Sequence, residues 1–551
     1  MIPVTQGLLY LPVLCVGLLV ARATRRWIKQ TPLHKIPGPP SASFINGNLK
    51  ELLDVNHGWS FHSSIIQTYG RIIRIWGYLG DTQLYISDPK ALYNILIKDQ
   101  YIFEETAFFL KSNQLFFGPS LTATMGDHHR RQRKLLNPVF SVNHMRYMTP
   151  IFYRVTHQLS DIVKTKISGG SQELDMMEWM SRLALELVGQ GGLGYSFNAL
   201  DENVRNEYAE AVREFSPTLA KLQPYGQFLP WAARVGPSWL RRWLAKTVPW
   251  EDLNRMVNII DVMEKTSTNI LDAKKRAFEK GDEAVLHQVA EGKDIMSVLL
   301  QANMSASEDT RLPDSEILAQ MSLLIFAGMD TTSSALARLL HLLSEHQNVQ
   351  DRLREEVMNA YKSSESGDLD YDTLHELPYL EAVCRETLRL HSPVATMTRT
   401  ARKDIMVPLD VPTTVGNSPV SEIFIPEDTT VFIGMRAINT DPLIWGPDAN
   451  EWKPERFLNP LPESVTDARV PGVYANLLTF LGGGRACIGF KFSQMEMKIV
   501  LSLLISTFKF TPSKTRPISW KLHGVSMPMQ DGIPTPSLPL VVSLVEDDGR
   551  I

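Results

Sequence analysis

The sequence predicts a mainly α protein with small β-sheets, and three observations carry that expectation. Between about residues 120 and 380 apolar side chains recur at helical spacing. Short runs rich in β-branched and aromatic residues flank this stretch near 71–87 and 402–435. No interior linker divides the 551 residues, and a 44% hydrophobic share supplies enough apolar material for one large core.

Residues 1–21 carry no charged side chain and include the run Gly7 to Ala21, about the length of a bilayer-spanning helix. Pro12 would kink that helix without breaking it. Arg22, Arg25, Arg26, Lys29 and Lys35 follow, and no acidic residue precedes Glu51. A cleaved signal peptide carries its positive charge before the apolar run, so a retained anchor over 1–22 with the bulk of the chain on the cytoplasmic side is expected. Residues 23–40 read as a basic, proline-rich linker ending in Ile36-Pro37-Gly38-Pro39-Pro40, and 41–551 as one domain.

Arg71–Trp76 and Gln83–Ser87 read as strands, and Gly126-Asp127-His128-His129-Arg130-Arg131-Gln132-Arg133-Lys134 as a basic helical run. The charge-rich stretch near 277–294 is a solvated face or loop. A long helix begins near Asp314 or Ser315, either of which is a candidate cap, and presents Ile317, Met321, Leu324, Ile325, Gly328, Thr332, Ala335 and Leu339 on one face. In its middle stands Ala327-Gly328-Met329-Asp330-Thr331-Thr332. A mid-helix glycine costs roughly 1 kcal/mol relative to alanine, and adjacent threonines bond back to the preceding turn. Taken alone, the segment fits either a helix–helix contact or a site.

Glu386 and Arg389 lie three apart on the helical run Leu380 to Leu390 and share a face. Pro454-Glu455-Arg456-Phe457 follows, and then Phe480-Leu481-Gly482-Gly483-Gly484-Arg485-Ala486-Cys487-Ile488-Gly489. The three cysteines, Cys15, Cys384 and Cys487, offer no disulfide framework and fit reducing conditions. No pair among the thirteen histidines has H-x-x-x-H spacing, which leaves a zinc site without support, and a net charge of −4 argues against a nucleic-acid partner.

At this point the chain resembles the cytochrome P-450 haem-thiolate monooxygenases, whose F-x-x-G-x-R-x-C-x-G signature it matches at every fixed position from Phe480 to Gly489. The likeness runs from about residue 37 to about 540 and includes the A-G-x-D-T-T, E-x-x-R and P-E-R-F elements. It implies the fold of that family, haem b as cofactor, and Cys487 as the axial ligand, its anionic form favoured by converging backbone N–H groups and the start of the next helix. Glycines 482, 483 and 484 would let the loop approach the flat macrocycle, Phe480 would pack on the ring, and Gly489 would leave room beside the sulfur. Arg485, Arg133 and Arg399 would pair with propionates. His129, where many members have tryptophan, is a fourth candidate. Gly328 would make space for dioxygen, Asp330 would deliver protons, and Thr331 would support protonation of the bound oxygen. Glu386, Arg389 and Arg456 would form a buried network that fixes the cysteine loop.

The implied reaction inserts one oxygen atom of dioxygen into a C–H bond or across a double bond, the other leaving as water. Electrons would come from a membrane-bound NADPH-dependent cytochrome P-450 reductase, docking on Arg130, Arg131, Lys134 and Lys491. Phe108, Phe109, Leu115, Phe116, Phe117, Phe326, Ala327, Val394, Ala395, Met397 and Met527 would line the substrate pocket, whose apolar character suits a lipophilic substrate. The motifs look fungal, which points to secondary metabolism and a terpenoid-type substrate in the endoplasmic reticulum. A fatty-acid hydroxylase is the alternative. Behind it stand a haem-thiolate isomerase or dehydratase, whose known relatives commonly lack the acid-alcohol pair kept here, and a non-catalytic haem sensor.

Overall fold

The computed structural model describes residues 31–545 apart from 205, 282–291, 309–310, 365–366 and 475, together with the isolated positions 17, 24 and 28. The anchor expected over 1–22, most of the basic stretch after it and the middle of the charge-rich segment therefore lie outside the described residues.

Helices dominate, as the apolar spacing predicts, and the 32-residue helix Asp314–Glu345 is their hub. It packs against Met176–Leu187, Glu251–Lys280, Gln347–Lys362, Pro378–Leu390 and Phe490–Thr507. Its length and apolarity would suit a membrane span, yet 67% of its most apolar window is buried within the protein, so it is a core helix. Neither Asp314 nor Ser315 caps it: Pro313 occupies the cap position without a side-chain bond, its ring presetting the entry. Asp314 and Glu316 in the first turn meet the positive end of the helix dipole.

The sheets are small and peripheral. A five-stranded sheet has the order Ile72–Trp76, Thr82–Ile86, Thr430–Gly434, Thr396–Ala401, Phe103–Glu104. Its central strands pair Tyr85 with Phe432 in parallel and Arg399 with Val431 antiparallel. On the far side Glu104 pairs with Thr400, which brings Glu104 and Glu105 beside Arg399. The hairpin Ile518–His523 and Val525–Gln530 turns at Gly524 and lies against the core helix, where the Ser334 hydroxyl donates to the Ser526 carbonyl. One large apolar cluster spans helices and strands, and a smaller one, including Ile73, Ile75 and Tyr85, lies between the first strands and the Gly58–Tyr69 helix.

Candidate active site

The cysteine loop is held by its own backbone. Cys487 N–H donates to Phe480 C=O at 2.9 Å, closing the loop just before the Phe490–Thr507 helix. Gly483 has φ 72°, and a Cβ there would fall 2.0 Å from the Leu96 carbonyl oxygen; at Gly482 it would fall 1.6 Å from that of Pro471. These glycines let the loop lie close against the protein's own backbone at Pro471 and Leu96. Gly489 differs, since a Cβ there would meet nothing nearer than 4.0 Å, leaving room beside the sulfur. The Cys487 side chain has exposed surface but is ringed by protein atoms, so it faces an interior recess. Burial pushes its thiol up, while the Gly489 N–H and the Arg133 guanidinium oppose. The N–H and the guanidinium thus favour the anion, as the resemblance implies, while burial works more strongly against it.

A nest of cations abuts this loop. Arg133, on the helix Gly126–Leu136, donates from Nη1 to the Ala486 carbonyl at 2.6 Å. Arg485 reaches Glu104 Oε2 and the Thr124 carbonyl, both at 2.9 Å. Arg399, buried at 1% exposure, donates from Nη1 to Glu105 Oε2 at 2.9 Å and to the Thr398 carbonyl at 2.8 Å. Its Nη2 is buried with no acceptor. His129 sits among Arg485, Arg133 and Arg399; burial foremost, then those three charges, push its pKa down to about 3, and the imidazole is neutral at physiological pH. A cleft of about 530 Å³ between Gln100–Tyr101, this helix and Gly484–Arg485 opens the nest outward.

On the core helix the six-residue segment divides its labour. A Cβ on Gly328 would lie 2.8 Å from Val188 Cγ2, so the missing side chain admits a neighbouring segment. That corrects the expectation that Gly328 makes space for dioxygen. Ala327, by contrast, is exposed in the middle of an otherwise buried helix, with Phe326 and Thr331 partly exposed beside it. Thr331 Oγ1 donates to the Ala327 carbonyl at 2.8 Å, which ties the hydroxyl to the preceding turn. Asp330 is turned into the core and accepts a bond from the Ser216 hydroxyl on the helix Glu207–Leu222. Desolvation raises its carboxyl to about 6, partly offset by that hydroxyl.

Glu386 and Arg389, both fully buried, form a bidentate pair at 2.7 and 2.8 Å. Arg389 also donates to the carbonyls of Asn439, Ala449 and Glu451. Arg456 adds a 3.4 Å contact to Glu386 and bonds to Asp448 and the Trp445 carbonyl. Asn439 carries the arrangement onward: its side chain bonds Thr479 Oγ1 and the Leu478 N–H, next to Phe480.

Of the expected pocket residues, Phe116, Phe117 and Phe326 converge with Phe215 in one aromatic cluster, with centroids 4.5 to 6.2 Å apart. Val394 is partly buried just before the five-stranded sheet, Met397 is partly buried within its Thr396–Ala401 strand, and Met527 is buried in the hairpin. Phe108 is a correction: it is exposed and packs beside Gly226, away from the cluster. Ser216 and Phe215 escaped the sequence reading because their helix carries no motif, its only signal being an apolar face. Glu104 and Glu105 escaped it because their partners, Arg485 and Arg399, lie 381 and 294 residues away and are matched only by the folded chain.

The cytochrome P450 family model matches residues 37–533. The chain is 49% identical to cytochrome P450 monooxygenase 91 of Postia placenta, over 97% of this chain and 98% of that protein. It is 46% identical to the ganoderic acid synthetase of Ganoderma lucidum, over 92% and 93%. The residues present fit the haem b of such proteins: a sulfur facing interior space, a small-residue gap in the core helix, and a basic nest with one guanidinium nitrogen left for an anionic side arm.

Proposed function

The chain belongs to the cytochrome P450 family and is a haem-thiolate monooxygenase, and from that premise we propose which of its residues do the work and on what. Haem b, when bound, supplies the activation of dioxygen. Cys487 would hold its iron through the sulfur, where the Gly489 N–H and the Arg133 guanidinium favour the anion that metal binding requires. Arg399, Arg133, Arg485 and neutral His129 hold the propionates, with Arg399 Nη2 finding its acceptor there. Ala327 and Thr331 would border the space for dioxygen, Phe480 and Gly489 would adjoin the haem, and Asp330 and Thr331 would move protons. The single observation that carries the assignment is the Cys487 sulfur facing interior space beside a basic nest that it contacts electrostatically.

The proton path follows from the core helix. Asp330, neutral or charged near physiological pH, faces Ser216, while Thr331 one residue on borders the partly exposed gap. A proton taken by Asp330 passes to the gap through the Thr331 hydroxyl once that hydroxyl releases the Ala327 carbonyl. The Thr331→Ala variant therefore keeps its haem and its NADPH consumption but diverts electrons to peroxide, measured as the ratio of product to NADPH. An unchanged ratio contradicts the role.

The substrate is lipophilic, of terpenoid type, met by Phe116, Phe117, Phe326, Ala327, Val394, Met397 and Met527. A relative named for ganoderic acid synthesis supports that choice. An anchor over 1–22 places the enzyme on the endoplasmic reticulum membrane, with domain 41–551 cytoplasmic. The exposed aromatics Phe228, Trp231, Trp239 and Trp243, with Arg241 and Arg242 alongside, suit the same interface. Arg130, Arg131 and Lys134, exposed around the outward cleft, receive an NADPH-dependent reductase. Membranes containing the chain and its reductase, given triterpenes and fatty acids in parallel, should consume NADPH and add one oxygen atom to a triterpene. Oxidation of the fatty acids alone points to the hydroxylase alternative.

A further inference from the structure

Two enclosed arginines outside the cysteine loop, the basic nest and the Glu386 network have no acceptor. Arg338 stands on the core helix seven residues after Thr331, nearly two turns and therefore on the same face, about 10 Å along the axis. Its guanidinium carbon lies over Trp520, 3.6 Å from the ring centroid, and its Nε is buried with no hydrogen-bond partner. Arg436, on the short helix Met435–Asn439, lies over Trp59 at 4.8 Å. Among the described residues neither guanidinium makes a hydrogen bond or an ion pair, and Arg436 disfavours the charge on Arg338.

The surroundings are as short of anions. His391 is held neutral by burial and by Arg338 and Arg436, among others. His341 accepts the Trp520 indole N–H on Nδ1 at 3.0 Å, and its Nε2 is 3.6 Å from Glu345. Glu345 is the one carboxylate that acts on Arg338, and its side chain is 48% exposed. Proteins pair the charges they bury, because an uncompensated ion loses several kcal/mol of hydration. Two like charges enclosed together without a counter-ion violate that rule unless a ligand supplies it. Both arginines keep some accessible surface, so a solute can reach them.

We propose that Arg338 and Arg436 bind an oxyanion, a carboxylate or a phosphate group, between the core helix, the Ile518–Gln530 hairpin and the Met435–Asn439 helix. A planar guanidinium presents five N–H donors in a fork that matches two oxygens of such a group. Each guanidinium carbon lies over a tryptophan ring, which spends none of its N–H donors on a hydrogen bond, and His391 lies within reach of both charges. The site stands independently of the haem assignment, since none of its residues belongs to the cysteine loop or the nest.

The test is thermal unfolding of the purified holoprotein with inorganic phosphate, octanoate or methyl octanoate, in wild type and in Arg338→Met, Arg436→Met and Arg338→Lys. An anion should raise Tm and the uncharged ester should not, and either methionine variant should need about tenfold more anion for half the shift. The lysine variant, which keeps the charge, should retain part of the effect and carries the test should a methionine variant lose its haem absorption. A response to octanoate alone assigns the site to the acid end of a lipophilic molecule; a response to phosphate as well assigns it to a small anion or a phosphorylated headgroup. No stabilisation by either anion, or an equal shift in the methionine variants, overturns the proposal.

Discussion

Two arginine clusters flank the cysteine loop, and they differ in how completely they are satisfied. Arg389 spends all its donors: two on Glu386 and three on the carbonyls of Asn439, Ala449 and Glu451. Arg399, just as buried, has acceptors for Nη1 and none for Nη2. A closed network can do nothing but hold its neighbours in register, here the Asn439–Thr479 link that leads into the loop. An open one has bonding capacity left for something that is not protein. Burial alone would have put both clusters in the same class; the count of unmet donors separates them.

The sharpest way to break the comparison is Glu386→Ala, which leaves Arg389 buried with no carboxylate and Arg456 with Asp448 alone. It should cost about 3–5 kcal/mol in denaturant unfolding and release the haem. An unchanged midpoint would show that the network does not support the loop. Next in size is Asp330, a buried charge with neither a cation nor an unmet donor. Its folded pKa of about 6 lies above the ordinary 3.8, so its protonated form stabilises the fold fully below pH 3.8, and that contribution is lost as pH rises through 6. Asp330→Asn should therefore gain roughly 2–3 kcal/mol at neutral pH, flatten stability between pH 4 and 6, and lose coupled turnover. A parallel pH profile in wild type and variant would remove this reading of the carboxyl. The smallest effect on the fold belongs to Arg399→Met. Burial already pushes Glu105 up, so losing Arg399 lets it take a proton in place of a stranded charge. Stability should change little while haem transfer to an acceptor apoprotein speeds up by about tenfold. Large destabilisation with unchanged haem loss would place Arg399 with the closed network.

What could be read in the chain was local. The core helix announced itself by spacing from Ile317 to Leu340, and the strands at 72–76 and 82–86 by β-branched composition. Glu386 and Arg389 share a face because they are three apart, and the cysteine loop is one contiguous run. What stayed hidden depends on how elements dock. Gly328 looked like a void for a ligand because nothing in the sequence says that Val188 packs there. Nor does the sequence say that Gly482 and Gly483 lie against the backbone of Pro471 and Leu96. Ser216 meets Asp330 across 114 residues, and only helix packing brings them together. Periodicity shows which face is buried but not against what, and the correct partner of a glycine or a buried acid is a tertiary fact.

The central claim is that the Cys487 sulfur is the axial ligand, and the absorption spectrum of the reduced, carbon monoxide-bound protein tests it most directly. Wild type should show the long-wavelength band that a thiolate ligand produces, and Cys487→His should lose that band together with oxygenation. A nitrogen-type spectrum from wild type, or a thiolate-type spectrum surviving in Cys487→His, would contradict the account.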